Sequence, residues 1–212
     1  MALSWLDAAG LPWTEELACV HSVDAASRET LRSMLRGGIQ APLTSSMGRL
    51  FDAVAALIGI RQVVNYEAQA AIELEACVDP DETGKYRLAI EGGELDPAPA
   101  LAALVRDIRR GVPAGVLSAR FHNGLAEGVV EVCTTARERT GLDSVVLSGG
   151  VWQNLILFRR TAAGLRERGF RVLAHQRVPA NDGGVALGQA VIAMHQLGVA
   201  ESINSREDVE AA

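Results

Sequence analysis

Two glycine-bearing turns hold the residues whose types and spacing could handle a phosphate or a sugar. The first is Ser148-Gly149-Gly150-Val151-Trp152-Gln153-Asn154, which follows the apolar run Ser144-Val145-Val146-Leu147 and resumes with a polar start. Glycines let the backbone approach a ligand closely, and a helix beginning just beyond offers free N–H groups. A Gly-Gly pair after a strand is by itself more often only a turn. The second is Asn181-Asp182-Gly183-Gly184. Asp182 has two readings: the N-cap of the helix that follows, or a carboxylate on a strand-end loop, placed to bind a divalent metal beside a nucleotide. Gly48 and Asp52 lie one helical turn apart. Asp52 either complements a helix dipole or binds sugar hydroxyls, with Gly48 making room; spacing alone favours the dipole. Glu67 falls in the first turn of a helix expected to begin at Tyr66, again a place where a carboxylate is favoured. His122, alone on a helix, reads as a hydrogen-bonded structural residue. Cys19, Cys77 and Cys133 are far apart. Without a CxxC pair they make no zinc ribbon or redox motif, and they fit buried thiols in a reducing compartment.

The elements that must position these residues follow from periodicity and breakers. Helices are expected from Ala2 to Ala9 and from Ala25 to Arg36, the second with Leu31, Met34 and Leu35 on one face and Gly37-Gly38 closing it. Residues 39 to 43 read as extended. Thr44-Ser45-Ser46 then offers hydroxyl caps for a helix with Leu50, Phe51, Val54, Ala55, Leu57 and Ile58 on its buried face. Residues 77 to 84 form an acidic loop. Residues 86 to 90 alternate like a short strand ended by Gly92-Gly93. A helix over 97–110 stops at Gly111 and Pro113, and a long one runs from Ala114 to Thr140. Strand 144–148, helix 154–168 and strand 170–174 make a βαβ unit, right-handed and parallel by default. Ligands of open α/β sheets lie beyond the carboxyl ends of such strands, which places Gly149, Gly150 and the loop after His175 on one edge. A final helix ends near Leu197, and a polar tail is expected over 198–212.

Composition narrows the class. The 212 residues are 49% hydrophobic with 21 glycines and a net charge of −6. That suits an α/β protein with a real core. No basic stripe supports nucleic-acid binding. No uninterrupted apolar stretch reaches membrane-span length, so a soluble cytoplasmic protein is expected.

Four blocks in order carry a family likeness: Gln40-Ala41-Pro42-Leu43-Thr44-Ser45-Ser46-Met47-Gly48-Arg49-Leu50-Phe51-Asp52, Tyr66-Glu67-Ala68-Gln69-Ala70-Ala71, Leu147-Ser148-Gly149-Gly150-Val151-Trp152-Gln153-Asn154, and Asn181-Asp182-Gly183-Gly184. From about Met1 to Leu197 the chain resembles the C-terminal part of the HypF family, carbamoyltransferases of nickel–iron hydrogenase maturation. The resemblance implies an α/β fold, a partial TsaD-like module with ribonuclease-H-like lobes of the actin/sugar-kinase/Hsp70 class. Residues 1–80 would be mainly helical and 85–197 an α/β lobe. It also implies transfer of a carbamoyl group from carbamoyl-adenylate, made upstream from carbamoyl phosphate and ATP, to the C-terminal cysteine of HypE. Carried onto this chain, Ser148, Gly149, Gly150 and Asn154 become part of the nucleotide loop. Gly48, Asp52 and Glu67 become contacts on the adenosine side, and Asp182 the last ligand of a divalent metal.

The departures bear on activity. The family's His-rich metal motif is absent, and His21, His122, His175 and His195 are too scattered to replace it. Ala68 stands where the family usually has Gly, and Trp152 where Phe is usual. The chain begins as if cut from something longer, so a carbamoyltransferase portion completed by the upstream HypF domains, on a separate chain or a longer precursor, is expected. The alternative is a non-catalytic nucleotide-binding or scaffold module of the same fold. A kinase or ATPase of that class is weaker, since no phosphate loop of P-loop spacing occurs.

Overall fold

The computed structural model describes residues 1–198; the tail expected over 198–212 falls, from residue 199 on, outside the described residues. Helices α1 (Ala2–Ala8), α2 (Ala18–His21), α3 (Ala25–Gly37), α4 (Met47–Ile58) and α5 (Gln69–Ala76) come first. A hairpin, β1 (Ala89–Glu91) and β2 (Glu94–Asp96), leads to α6 (Ala98–Arg109) and α7 (Ala114–Thr140). Then follow β3 (Ser144–Leu147), α8 (Leu155–Glu167), β4 (Arg171–Ala174) and α9 (Val185–Gln196). Compactness divides the chain into two units: Met1–Val145 with Asn154–Val172, and Val146–Gln153 with Leu173 onward.

The first unit is built around α4. Leu50, Phe51, Ala53, Val54, Ala55 and Leu57 are buried there, as the period of the apolar residues requires. α4 packs on α1, α2, α5 and α6. Phe51 meets Phe121 of α7 edge to face, with centroids 5.0 Å apart. α7 begins after Pro113 and ends at Gly141, whose φ of +73° closes the helix in the left-handed form. α8 lies along α7, close enough that a Cβ at Gly164 would come within 3.0 Å of Val130.

Three local expectations are corrected. Residues 39–43 do not extend throughout: Gly38 caps α3, and Gln40 takes a φ of +51° in the turn that follows. The strand expected over 86–90 is shorter and later. The Tyr86 N–H donates to the Arg120 carbonyl at 3.0 Å, and Asn123 Nδ2 donates to the carbonyls of Glu82 and Gly84. The segment before β1 is therefore tied to α7, and at Gly124 an added Cβ would overlap the Tyr86 carbonyl. Only Ala89–Glu91 pairs, antiparallel with Glu94–Asp96, across a turn in which Gly92 and Gly93 both have positive φ. The third is the helix expected to begin at Tyr66, which begins only at Gln69.

β3 and β4 form a second two-stranded sheet with α8 between them in the chain. The Arg171 N–H donates to the Asp143 carbonyl where both strands start, and Ser148 meets His175 where both end. The strands therefore run the same way, as expected of a βαβ unit.

Candidate nucleotide-handling site

In the second unit, β3 delivers Ser148 to an exposed position and Gly149 turns the chain with a φ of +107°. A Cβ at Gly149 would meet nothing within 4 Å, so glycine is needed there for its backbone angle and not for space. The Gly149 N–H donates to the Ala180 carbonyl at 2.8 Å. Ser148 Oγ and His175 Nε2 lie 2.9 Å apart, a second tie between the loops that leave β3 and β4. Gly150 faces Asn181, whose Cβ would be 3.8 Å from a Cβ built on the glycine. The two glycine turns are thus side by side within one unit, as the edge argument from sequence required. Because the Gly149 amide is engaged, the donors left for an anion are those that open the single-turn 3-10 helix Gly150–Gln153, whose first N–H groups have no partner within the turn.

Asp182 opens a second 3-10 turn, Asp182–Gly184, but it is not the cap. Asn181 is: its side chain accepts from the Gly183 N–H at 3.1 Å. An Asx side chain reaches the amide two residues on, which makes Asn181 the better-placed oxygen. The Asp182 side chain is exposed and has no hydrogen bond or ion pair among the described residues. Gly184 is fixed by close approach, since a Cβ there would come within 2.7 Å of the Pro179 carbonyl oxygen.

The remaining candidates belong to the first unit. Asn154 caps α8, its Oδ1 accepting from the Leu157 N–H at 2.8 Å. That bond orients the amide so that Nδ2 donates to His122 Nε2 at 2.9 Å. His122 must then carry its proton on Nδ1, which lies 2.8 Å from the Ser118 carbonyl. Ser118 Oγ donates in turn to the Leu74 carbonyl at 2.6 Å. This chain of bonds joins α5, α7 and α8. His122 is completely buried; burial, reinforced by the charge of Arg160, pushes its pKa down to about 4 despite the hydrogen bond at Ser118. The expectation that His122 is structural holds.

Asp52 does not sit in the first turn of α4, so the dipole reading from sequence is set aside: the field of a helix end fades within one turn. It pairs instead with Arg49 at 3.1 Å. Gly48 is exposed, has ordinary φ, and nothing but Ser46 Oγ at 3.8 Å would approach an added Cβ; packing gives no reason for glycine there. Glu67 is corrected. It precedes α5 and is exposed, because Ala68 takes a left-handed conformation (φ 62°, ψ 8°) and the helix starts only at Gln69. A left-handed angle of this kind is one that glycine adopts more readily than alanine.

The sequence reading missed the buried Gln69. Its Oε1 accepts from the Asn65 N–H at 2.8 Å and its Nε2 donates to Glu73 at 3.0 Å. Glu73 also accepts two bonds from Arg61, at 2.8 and 2.5 Å, and hydrogen bonding to Arg61 and Gln69 lowers its pKa. Two of these partners are twelve residues apart, a spacing that no local pattern flags. The thiols of Cys19, Cys77 and Cys133 are all raised by burial, which makes each a poor nucleophile. Among the described residues no three His, Cys, Asp or Glu converge on a possible metal, and no helix is long and apolar enough to cross a membrane.

Helices around a short sheet, with glycine turns at the strand exits, make this an α/β fold of nucleotide-binding type. Residues 1–189 match the family model "Carbamoyltransferase, Kae1-like Domain, second subdomain". The chain belongs to the HypF carbamoyltransferase family. It is 42% identical over 200 residues to carbamoyltransferase HypF of Rhodobacter capsulatus, covering 92% of this chain and 25% of that one. It is 40% identical over 164 residues to the HypF of Rhizobium leguminosarum bv. viciae, covering 77% and 21%. Full-length HypF in its phosphate- and nucleotide-bound form superposes with a TM-score of 0.80 at 40% identity, over 84% of this chain and 24% of that one. The chain thus spans about a fifth to a quarter of the length of these relatives.

Proposed function

We propose that this chain is the nucleotide-handling part of the carbamoyl-transfer module of a HypF-type enzyme, on ribonuclease-H-like lobes of the actin/sugar-kinase/Hsp70 class. It binds carbamoyl-adenylate, formed from carbamoyl phosphate and ATP elsewhere in the enzyme, and presents it to the C-terminal cysteine of HypE in nickel–iron hydrogenase maturation. The thiolate sulfur bonds to the carbamoyl carbon, the bond from that carbon to the phosphate oxygen breaks, AMP leaves with the electron pair, and the thiol proton passes to solvent. Ser148 and the amides at Gly150 and Val151 stabilise the departing phosphate, since fixed N–H donors aimed at developing charge need no reorganisation. Gly48, Asp52 and Glu67 serve the adenosine side, and Asn154 holds the loop through its cap. The acceptor supplies the thiol, in keeping with the three raised cysteines of this chain.

The observation that carries this reading is the bond from the Gly149 N–H to the Ala180 carbonyl. It sets the phosphate-type turn next to the loop that bears an unengaged Asp182. A divalent metal would neutralise phosphate charge when bound, but this chain's described residues fit it poorly: Asp182 is a lone ligand and a firm site needs several. Its other ligands would lie in the rest of the enzyme. Calorimetric titration with AMP and Mg²⁺, alone and with the upstream part of a relative, tests the reading. Heat and a thermal shift are expected; neither signal in either mixture would overturn it. The lone Asp182 favours a second reading, a nucleotide-binding scaffold without chemistry. In a reconstituted transfer assay, Asp182→Asn should abolish carbamoyl transfer to HypE while leaving Tm unchanged; unaffected transfer would favour the scaffold.

A further inference from the structure

Among the described residues, α9 is a core helix without a core. Its sequence, Val-Ala-Leu-Gly-Gln-Ala-Val-Ile-Ala-Met-His-Gln, has no Asp, Glu, Lys or Arg, and none of its residues is buried. Val185, Leu187, Val191 and Ile192 are each more than half exposed. At 100° per residue, Val185 and Ile192 lie on one side and Leu187 and Val191 on another, so the helix is apolar around most of its circumference. A surface helix shows one apolar stripe opposite a charged face, whereas a helix apolar all round is one that is surrounded. A membrane does not explain it: the helix has 12 residues, against roughly 20 needed to span, and it lacks the basic face of an interfacial helix. A second copy of the same helix would cover one side and leave the other in water.

The matched family portion is a second subdomain, and the relatives extend well beyond it. We infer that α9 is the docking surface for the preceding portion of a carbamoyltransferase chain, on the same polypeptide or another, which encloses it on more than one side with apolar surface. The inference rests on the functional reading for the identity of the occupant. Val146 and Leu173, exposed on β3 and β4, extend the apolar character of the same unit, and a sheet of two strands is marginal without further cover.

The test uses the full 212-residue chain and the part of the Rhodobacter capsulatus relative that precedes the matched residues. Alone, the chain is expected to bind an apolar dye and to exchange α9 amides quickly. Mixed, it should form a one-to-one complex by light scattering, lose dye binding and protect 185–196. Val191→Lys and Ile192→Lys, each on a different side of the helix, should both weaken association at least about tenfold, as loss of a buried aliphatic side chain implies. Tyr66→Lys, exposed in the other unit, should not. The inference is overturned if the chain alone binds no dye, if it self-associates with α9 protected, if no complex forms, or if either lysine variant associates normally. A complex that forms as expected but binds no nucleotide would instead count against the functional reading and leave the docking surface standing.

Discussion

Acidification from pH 8 to pH 5 is expected to remove about 2 kcal/mol of stability through His122 alone. Its native pKa is about 4, against about 6.5 in an unfolded chain. Between these values the unfolded state binds more protons, so the contribution is complete above pH 6.5 and declines as the pH falls toward 4. Summing over the two titrations gives about 2 kcal/mol lost by pH 5 and roughly 3 by pH 4. The structural reason is that a charged imidazole has nowhere to go: Nδ1–H already donates to Ser118, Nε2 must accept from Asn154, and the ring is sealed from water. Protonation would put a hydrogen on Nε2 facing the Asn154 amide. Urea unfolding at pH 8, 6 and 5 checks this for the wild type and for His122→Gln, which cannot titrate. Other acid-labile groups, such as Glu73 with its carboxyl held low by Arg61, act in both proteins and cancel in the difference. The variant should be the less stable at pH 8, with the gap narrowing by about 2 kcal/mol at pH 5. A gap independent of pH would refute the argument, because it would mean that His122 is not buried neutral.

Ala68→Gly should stabilise the protein. A left-handed alanine costs about 1–2 kcal/mol, and glycine returns part of that, about 0.4–1 kcal/mol, through its freer unfolded state. The net gain of about 0.5–1 kcal/mol corresponds to a rise in Tm of roughly 2 °C in a chain of this size; calorimetry showing a fall would contradict the left-handed assignment. Gly184→Ala should do the opposite, locally. The built Cβ meets a backbone oxygen that cannot swing aside, so hydrogen exchange over 179–185 should quicken and nucleotide affinity should fall about tenfold, on the order of the 1–3 kcal/mol that overpacking costs.

How much could be read from the chain follows from the range of the forces involved. α7 was legible because Pro113 and Gly141 punctuate it and apolar residues recur along one face from Val116 to Cys133. α4 was legible for the same reason, from Leu50 to Leu57. The adjacency of the two glycine turns was legible from the βαβ rule, which fixes where strand exits lie. What failed was decided by contacts between residues distant in sequence or by a single backbone angle. Residues 86–90 alternate like a strand, yet α7 ties down the start of that stretch, the Tyr86 N–H donating to Arg120 and Asn123 donating to the Gly84 carbonyl just before it. Glu67 falls where a helix start was expected, yet one positive φ at Ala68 moves that start from Tyr66 to Gln69. The Arg61–Glu73–Gln69 cluster has no local signature at all.

The same distinction sorts the candidate residues by the kind of work each can do. Ser148, Gly150 and Asp182 are exposed or nearly so and keep polar groups free or shared with a single neighbour. Asn154 has committed its carbonyl to the Leu157 amide and its amide to a buried imidazole that is itself anchored on α7. A residue with both ends engaged in this way transmits position. Through it, the start of α8 is referenced to α5 and α7. A change at Ser118 or His122 is therefore expected to loosen the α8 cap, whereas a change at Asp182 acts by its charge. Amide exchange at Leu157 separates the two: it should rise in His122→Gln and stay unchanged in Asp182→Asn.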